Sequence, residues 1–174
     1  MPTTPNYEKA RKLANSLLKE SEINSPPVST RIIDIATSKG LRVQFVEMPK
    51  EVSEEVSGVF DQKSQTIYVN SEDPPKRQAF TIAHELGHFV LEHKPNEYGF
   101  LPRFANVVNS SPVEKEANYF AANLLIPKEM LDEAKKKFSI KGDDIDLYTG
   151  TLADYFGVSE EFMKYRIDGL KWQE

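Results

Sequence analysis

Two histidines four residues apart, His84 and His88, with an acid between them at Glu85, carry the clearest chemical signal in the chain. On a helix, residues at i and i+4 project from one face, one turn apart, so both imidazoles can grip the same ion. Glu85 sits one position on from His84 and points to the side of that face, within reach of a water on the ion. An ion held this way lowers the pKa of such a water to about 7, and a neighbouring carboxylate can take its proton. The pattern H-E-x-x-H is the signature of zinc metalloproteases. The bland alternative is a half-buried helix whose histidines only make hydrogen bonds. The surroundings count against it: Phe80, Ile82, Ala83, Leu86, Phe89 and Val90 give the segment a strongly apolar setting, as a central helix requires. Gly87, between the histidines, costs about 1 kcal/mol of helix propensity. It leaves room for another backbone or a substrate to come close.

A catalytic zinc site needs a third protein ligand and one open position. The chain has no cysteine and only three histidines, so the choice is narrow. The extended pattern H-E-x-x-H-x-x-G-x-x-H would place Gly at 91 and His at 94, where this chain has Leu91 and Lys94. His93 reads as a helix-end residue, where a cation suits the dipole. The third ligand is then a carboxylate on a later helix, which opens at Pro112 and offers Glu114 and Glu116. Glu114 shares a helical face with Asn118, whose amide can hydrogen-bond a ligating histidine and fix its orientation. Glu116 shares its face with Phe120, a core position, and reads as a solvated first-turn residue that the dipole favours. Face geometry favours Glu114 and leaves Glu116 as the alternative. Tyr119, Tyr148 and His93 are candidate donors to the oxyanion of a tetrahedral intermediate, each with a structural reading beside it.

These residues need a scaffold, and the hydrophobic pattern outlines one. Residues 7–21 form an amphipathic helix, with Tyr7, Ala10, Leu13, Ala14, Leu17 and Leu18 on one stripe that reads as core. Ser25-Pro26-Pro27 breaks the chain, and a second helix at 28–39 ends at Gly40. Residues 41–46 alternate as a strand does. Residues 56–60 and 66–69 form a hairpin around 61–65, and one of its strands is a candidate edge for pairing with an extended peptide. Asp73-Pro74-Pro75 opens the histidine helix, which runs to His93. Residues 94–111 read as loop, with Pro95, Gly99 and Pro102. The helix from Pro112 ends or restarts at Pro127 and continues to 138. Gly142-Asp143-Asp144 is a turn. Helices at 147–156 and 159–170, broken at Gly157, close the chain. The order predicts an α+β fold: a mainly helical core with a small three-stranded sheet and a C-terminal helix pair. Residues 1–140 form the main domain and 141–174 the helix pair.

Composition narrows the function classes. The 174 residues include 22 Lys+Arg and 27 Asp+Glu, a net charge of −5. That balance argues against a general nucleic-acid binder. The helix pair has the short turn of a helix-turn-helix, yet its second helix opens with Glu160-Glu161 and offers only Lys164, Arg166 and Lys171. Direct DNA binding is therefore disfavoured, and the pair is expected to pack on the core or help hold a protein partner. The start, Met1-Pro2-Thr3-Thr4-Pro5-Asn6, lacks a basic and apolar leader. The longest apolar stretches fall far short of the roughly 20 residues that span a bilayer. A cytoplasmic protein is expected, with no membrane association; its oligomeric state is not legible.

The motifs together resemble the ImmA/IrrE family of metallopeptidases. The resemblance rests on Phe80-Thr81-Ile82-Ala83-His84-Glu85-Leu86-Gly87-His88, then Glu114-Lys115-Glu116-Ala117-Asn118-Tyr119-Phe120-Ala121-Ala122, then Leu124-Leu125-Ile126-Pro127. Ser57-Gly58-Val59-Phe60 and Thr66-Ile67-Tyr68-Val69-Asn70 are similar to the preceding hairpin. Leu152-Ala153-Asp154-Tyr155-Phe156-Gly157-Val158-Ser159, Met163 and Arg166 are similar to the family's tail. The resemblance spans roughly residues 28–170. It implies a gluzincin-like zinc peptidase on a zincin-like core, with His84, His88 and Glu114 as metal ligands and Glu85 as the catalytic glutamate. It also implies a protein substrate, a helix-turn-helix transcriptional repressor, cut to relieve repression in a mobile-element or stress response. The donor set admits manganese as well as zinc. A non-catalytic metal-containing module that holds a repressor or toxin partner is the second reading. Glu85 speaks against it, because binding alone has no use for that carboxylate.

Overall fold

A computed structural model describes residues 4–49, 56–94, 100–104 and 111–171. The chain opens with helix α1, Tyr7–Glu20. Asn6 caps it by accepting the Lys9 backbone N–H at 2.9 Å. Ala10, Ala14, Leu17 and Leu18 are buried along one stripe, as the periodicity predicts, while Tyr7 stays partly exposed. A 3-10 turn over Val28–Arg31 leads into α2, Ile32–Ser38. Strands β1, Arg42–Val46, β2, Val56–Asp61, and β3, Thr66–Asn70, follow. Then come α3, Pro75–Val90, strand β4, Phe100–Phe104, and α4, Pro112–Leu125. The chain continues through α5, Lys128–Lys137, a 3-10 stretch over Gly142–Tyr148, α6, Thr149–Phe156, and α7, Glu160–Lys171. This is the α+β order that the sequence predicts. Among the described residues no helix is long and apolar enough to cross a membrane.

The sheet departs from expectation in two respects. It has four strands, in the order β1-β3-β2-β4. β4 lies within the stretch read as loop, because Pro102 and the nearby Gly99 look like breakers. Pro102 stands opposite Val59 on a strand at the rim of the sheet, where a missing N–H is tolerated. Residues 95–99 and 105–110 of that stretch lie outside the described residues. Second, neither hairpin strand is an edge. β2 and β3 pair antiparallel with Phe60 opposite Ile67, and each is flanked on its far side, β3 by β1 in parallel and β2 by β4. The edges are β1 and β4.

α3 is the central element. It packs on β2 and β3 on one side and on α4 on the other, and Thr81 through His88 are buried without interruption. The close approaches are set by glycine. A Cβ on Gly58 would stand 2.3 Å from Thr81 Cγ2, so β2 can press on α3 only without one. One hydrophobic cluster runs from Ala10 in α1 to Ile167 in α7. Phe162 of α7 packs its ring on Phe80 of α3 at 4.3 Å, so the last helix contacts the central one.

Candidate metal centre

The site lies where the C-terminal half of α3 meets the first turns of α4. Gly87 permits the contact: a Cβ there would stand 2.8 Å from Phe120 Cδ1 and 3.4 Å from the Ala117 Cα. The room that this glycine leaves is taken by α4. Ser111 and Pro112 begin α4 as a good start should, with the Ser111 hydroxyl accepting the Glu114 N–H and proline in the first turn. Glu114 is thereby placed above the histidine face.

His84 Nε2 and His88 Nε2 are 2.9 Å apart, and each is 3.2 Å from an oxygen of Glu114. Ligands held tetrahedrally about 2.1 Å from a zinc ion stand about 3.4 Å from one another, so the three groups are spaced nearly as a ligand set is. Both histidines are buried, and Glu114 is about a quarter exposed, on the open side. Asn118 Oδ1 lies 2.9 Å from His84 Nδ1. An amide oxygen can only accept, so His84 carries its proton on Nδ1 and turns the lone pair of Nε2 toward the Glu114 carboxylate. Two acceptors in contact need a proton or a cation between them, and this donor set suits a divalent ion. Burial alone would raise the Glu114 pKa. Protonated imidazoles outweigh that: in the absence of an ion their hydrogen bonds and charge hold the carboxyl well below the usual carboxylate range. Glu85 is fully buried, one residue on from His84.

Two neighbours depart from the sequence reading. Glu116 was expected in solvent and is buried, 6% exposed. Its Oε1 accepts the Asn6 N–H at 2.6 Å, and its Oε2 lies 2.9 Å from His93 Nε2. Burial raises its pKa, and the Asn6 N–H, His93 and Lys9 more than offset this, so it is held ionised. His93 does not extend the helix. α3 ends at Val90, Glu92 takes a left-handed conformation at φ 61°, and the His93 N–H returns to the His88 carbonyl at 3.0 Å while the Glu92 N–H returns to Phe89 at 3.1 Å. This is a Schellman ending. It folds the His93 ring back onto His88, with Nδ1 to Nδ1 at 2.8 Å. Burial pushes the His93 pKa below its ordinary value.

The structure places these residues together in a way that no periodicity could show, since Asn6 and Glu116 are 110 positions apart. Of the oxyanion-donor candidates, His93 is committed to His88 and Glu116. Tyr119 packs on Tyr7 at 4.7 Å and hydrogen-bonds Arg166. Tyr148 packs, partly buried, against the main core. Arg166, read from sequence as a cation of the last helix and as part of the family-like tail, is 2% exposed. It donates to the Ile126 carbonyl at 3.0 Å and to Asn123 Oδ1 at 2.9 Å.

Comparison with known proteins adds to this geometry. Residues 36–168 match the peptidase family described as the IrrE N-terminal-like domain. The radiation response metalloprotease IrrE of Deinococcus deserti is 29% identical over 104 residues, which cover 59% of this chain and 35% of the relative. Metallopeptidase ImmA of Bacillus subtilis is 33% identical over 79 residues, covering 42% of this chain and 43% of the relative. The matched segments thus span less than half the length of these relatives. A solved structure titled as a Mycobacterium tuberculosis transcriptional regulator shares the fold, with a TM-score of 0.66 over 91% of this chain and 46% of its own, at 16% identity.

Proposed function

The chain belongs to the IrrE N-terminal-like peptidase family, and from that premise we propose that it is a zinc-dependent endopeptidase that cuts a regulatory protein. The observation that carries this reading is the convergence of His84, His88 and Glu114 on one point beside the buried Glu85. His84, His88 and Glu114 would hold the ion, and Asn118 would keep His84 in the tautomer that binds it. Bound there, zinc, or manganese in its place, would supply Lewis-acid polarisation of a peptide carbonyl and a water that is a competent nucleophile near neutral pH. Glu85 takes the proton from the attacking water and returns it to the leaving amine. Quarter exposure of Glu114 leaves one side of the centre open to substrate.

The substrate we infer is a helix-turn-helix transcriptional repressor in the cytoplasm. The support is the kinship with IrrE and ImmA, whose names describe metalloproteases. Residues 1–140 form the peptidase unit in this reading, and 141–174 pack on it; the Phe80–Phe162 contact supports that arrangement.

The test is mass-spectrometric mapping of new protein N-termini in cells expressing the wild type or Glu85→Gln at equal levels. One or two new termini inside a DNA-binding protein, present only with the wild type, are expected. Identical termini in both, with zinc bound to both proteins, would replace the peptidase by a metal-containing binding module.

A further inference from the structure

His88 faces His84 and Glu114 through one ring nitrogen and His93 through the other, and the pattern of protons around it decides whether it can bind metal. Its Nε2 lies 2.9 Å from His84 Nε2, and its Nδ1 lies 2.8 Å from His93 Nδ1. A proton on His88 Nε2 would satisfy the lone pair of His84 and close the site without an ion. A proton on Nδ1 leaves three acceptors facing one another and opens it. The far end of the chain of contacts makes the choice. Glu116 is a carboxylate and can only accept, so the 2.9 Å contact requires the proton of His93 on Nε2. The Nδ1 of His93 is then left to face His88 Nδ1, and a His88 that donates there has its Nε2 bare for an ion.

Resting on the metal reading above, we propose that His93 and Glu116 are positioning residues that hold His88 in its metal-binding tautomer and orientation. Both are built into place. His93 side chain is 6% exposed and Glu116 side chain 8%. The left-handed residue at Glu92 aims the His93 ring, and the Asn6 N–H takes the second oxygen of Glu116, so the carboxylate cannot rotate away. Lys9 ties α1 to the same corner by donating to the Leu91 carbonyl at 3.2 Å. The N-terminal helix thus braces a ligand that it does not touch. A carboxylate beyond a ligating imidazole is a common way to fix its tautomer and raise its basicity. Here a second imidazole stands between them.

The experiment is zinc affinity by competition with a chromophoric chelator, on full-length wild type, His93→Phe, His93→Gln and Glu116→Gln. Circular dichroism of the metal-free proteins checks folding. His93→Phe keeps the ring shape and removes both hydrogen bonds; a loss of about 10–100-fold in zinc affinity is expected. His93→Gln can still accept from His88 and donate to Glu116, so it should recover part of the loss. A purely packing role would favour Phe over Gln and reverse that order. In zinc-loaded wild type, imidazole 15N spectra should show a 15N–15N coupling across the His88–His93 hydrogen bond. Zinc affinity of His93→Phe within twofold of wild type overturns the proposal. If His93→Phe fails to fold, an unchanged Glu116→Gln or an absent coupling overturns it equally. A wild type that binds no zinc overturns the metal reading itself, and this proposal with it.

Discussion

The two halves of α4 bury polar groups in opposite ways. In the C-terminal half, donors and acceptors are matched. Arg166 of α7 donates to Asn123 and to the Ile126 carbonyl, and Asn123 donates in turn to the Tyr119 carbonyl at 2.8 Å. These groups satisfy one another. In the N-terminal half, Glu114 brings a carboxylate against two imidazoles, and one of these shows it a lone pair. Three groups that can each accept, His84, His88 and Glu114, converge there within reach of one ion. Burial alone therefore does not mark a functional site, since Asn123 and Arg166 are more deeply buried than Glu114. A convergence of groups that can all accept does, because desolvated acceptors are costly until something positive joins them.

The contrast is most open to attack at Glu85 and Glu114. Glu85→Gln keeps the shape and removes the proposed base, so kcat should fall by roughly 10²–10⁴-fold in a purified cleavage assay while zinc stays bound. Glu114→Gln removes a ligand charge, and zinc affinity should fall by more than the roughly 100-fold typical of changes outside the ligand set. Its apo form should be no less stable than wild type by more than about 1 kcal/mol, since the crowding of acceptors is relieved. A strongly destabilised apo Glu114→Gln would show that the carboxylate is a structural partner after all. At the other end of the helix, Arg166→Met strands two buried acceptors and should cost roughly 2–4 kcal/mol in urea unfolding, with zinc affinity of the folded fraction unchanged.

Parts of this were legible from local pattern. His84, Glu85 and His88 stand at one helical spacing, and Glu114 with Asn118 at another, so each set declares its own face. The apolar stripe of α1 and the hairpin of β2 and β3 are equally local. The parts that were not legible depend on contacts between distant segments or on unusual backbone. His93 turns back because Glu92 adopts a conformation for which glycine would have been the visible sign. Glu116 is pulled inward by Asn6 and His93, neither of which belongs to its helix. β4 contains a proline that argues for a loop unless the strand is known to lie at the rim. Hairpin spacing says nothing of what flanks a hairpin, so the edges of the sheet were out of reach.

The finest comparison uses one residue type twice on one helix. Asn118 and Asn123 are five positions apart, and each offers its side-chain oxygen to a neighbour, the first to His84 and the second to Arg166. Asn118→Ala should lower zinc affinity about tenfold, because His84 loses the partner that fixes its tautomer. It should hardly change the stability of the metal-free protein, since Asn118 is only partly buried. Asn123→Ala should do the reverse. Asn123 is 3% exposed, and its loss leaves the Arg166 guanidinium short of an acceptor in the core, a cost of about 1–3 kcal/mol. Zinc affinity should stay within twofold. Two measurements on each variant, chelator competition and urea unfolding, give a crossed pattern if one half of α4 serves the ion and the other the fold. Parallel losses in both variants would mean that the two halves are one cooperative unit and that the division drawn along the helix is wrong.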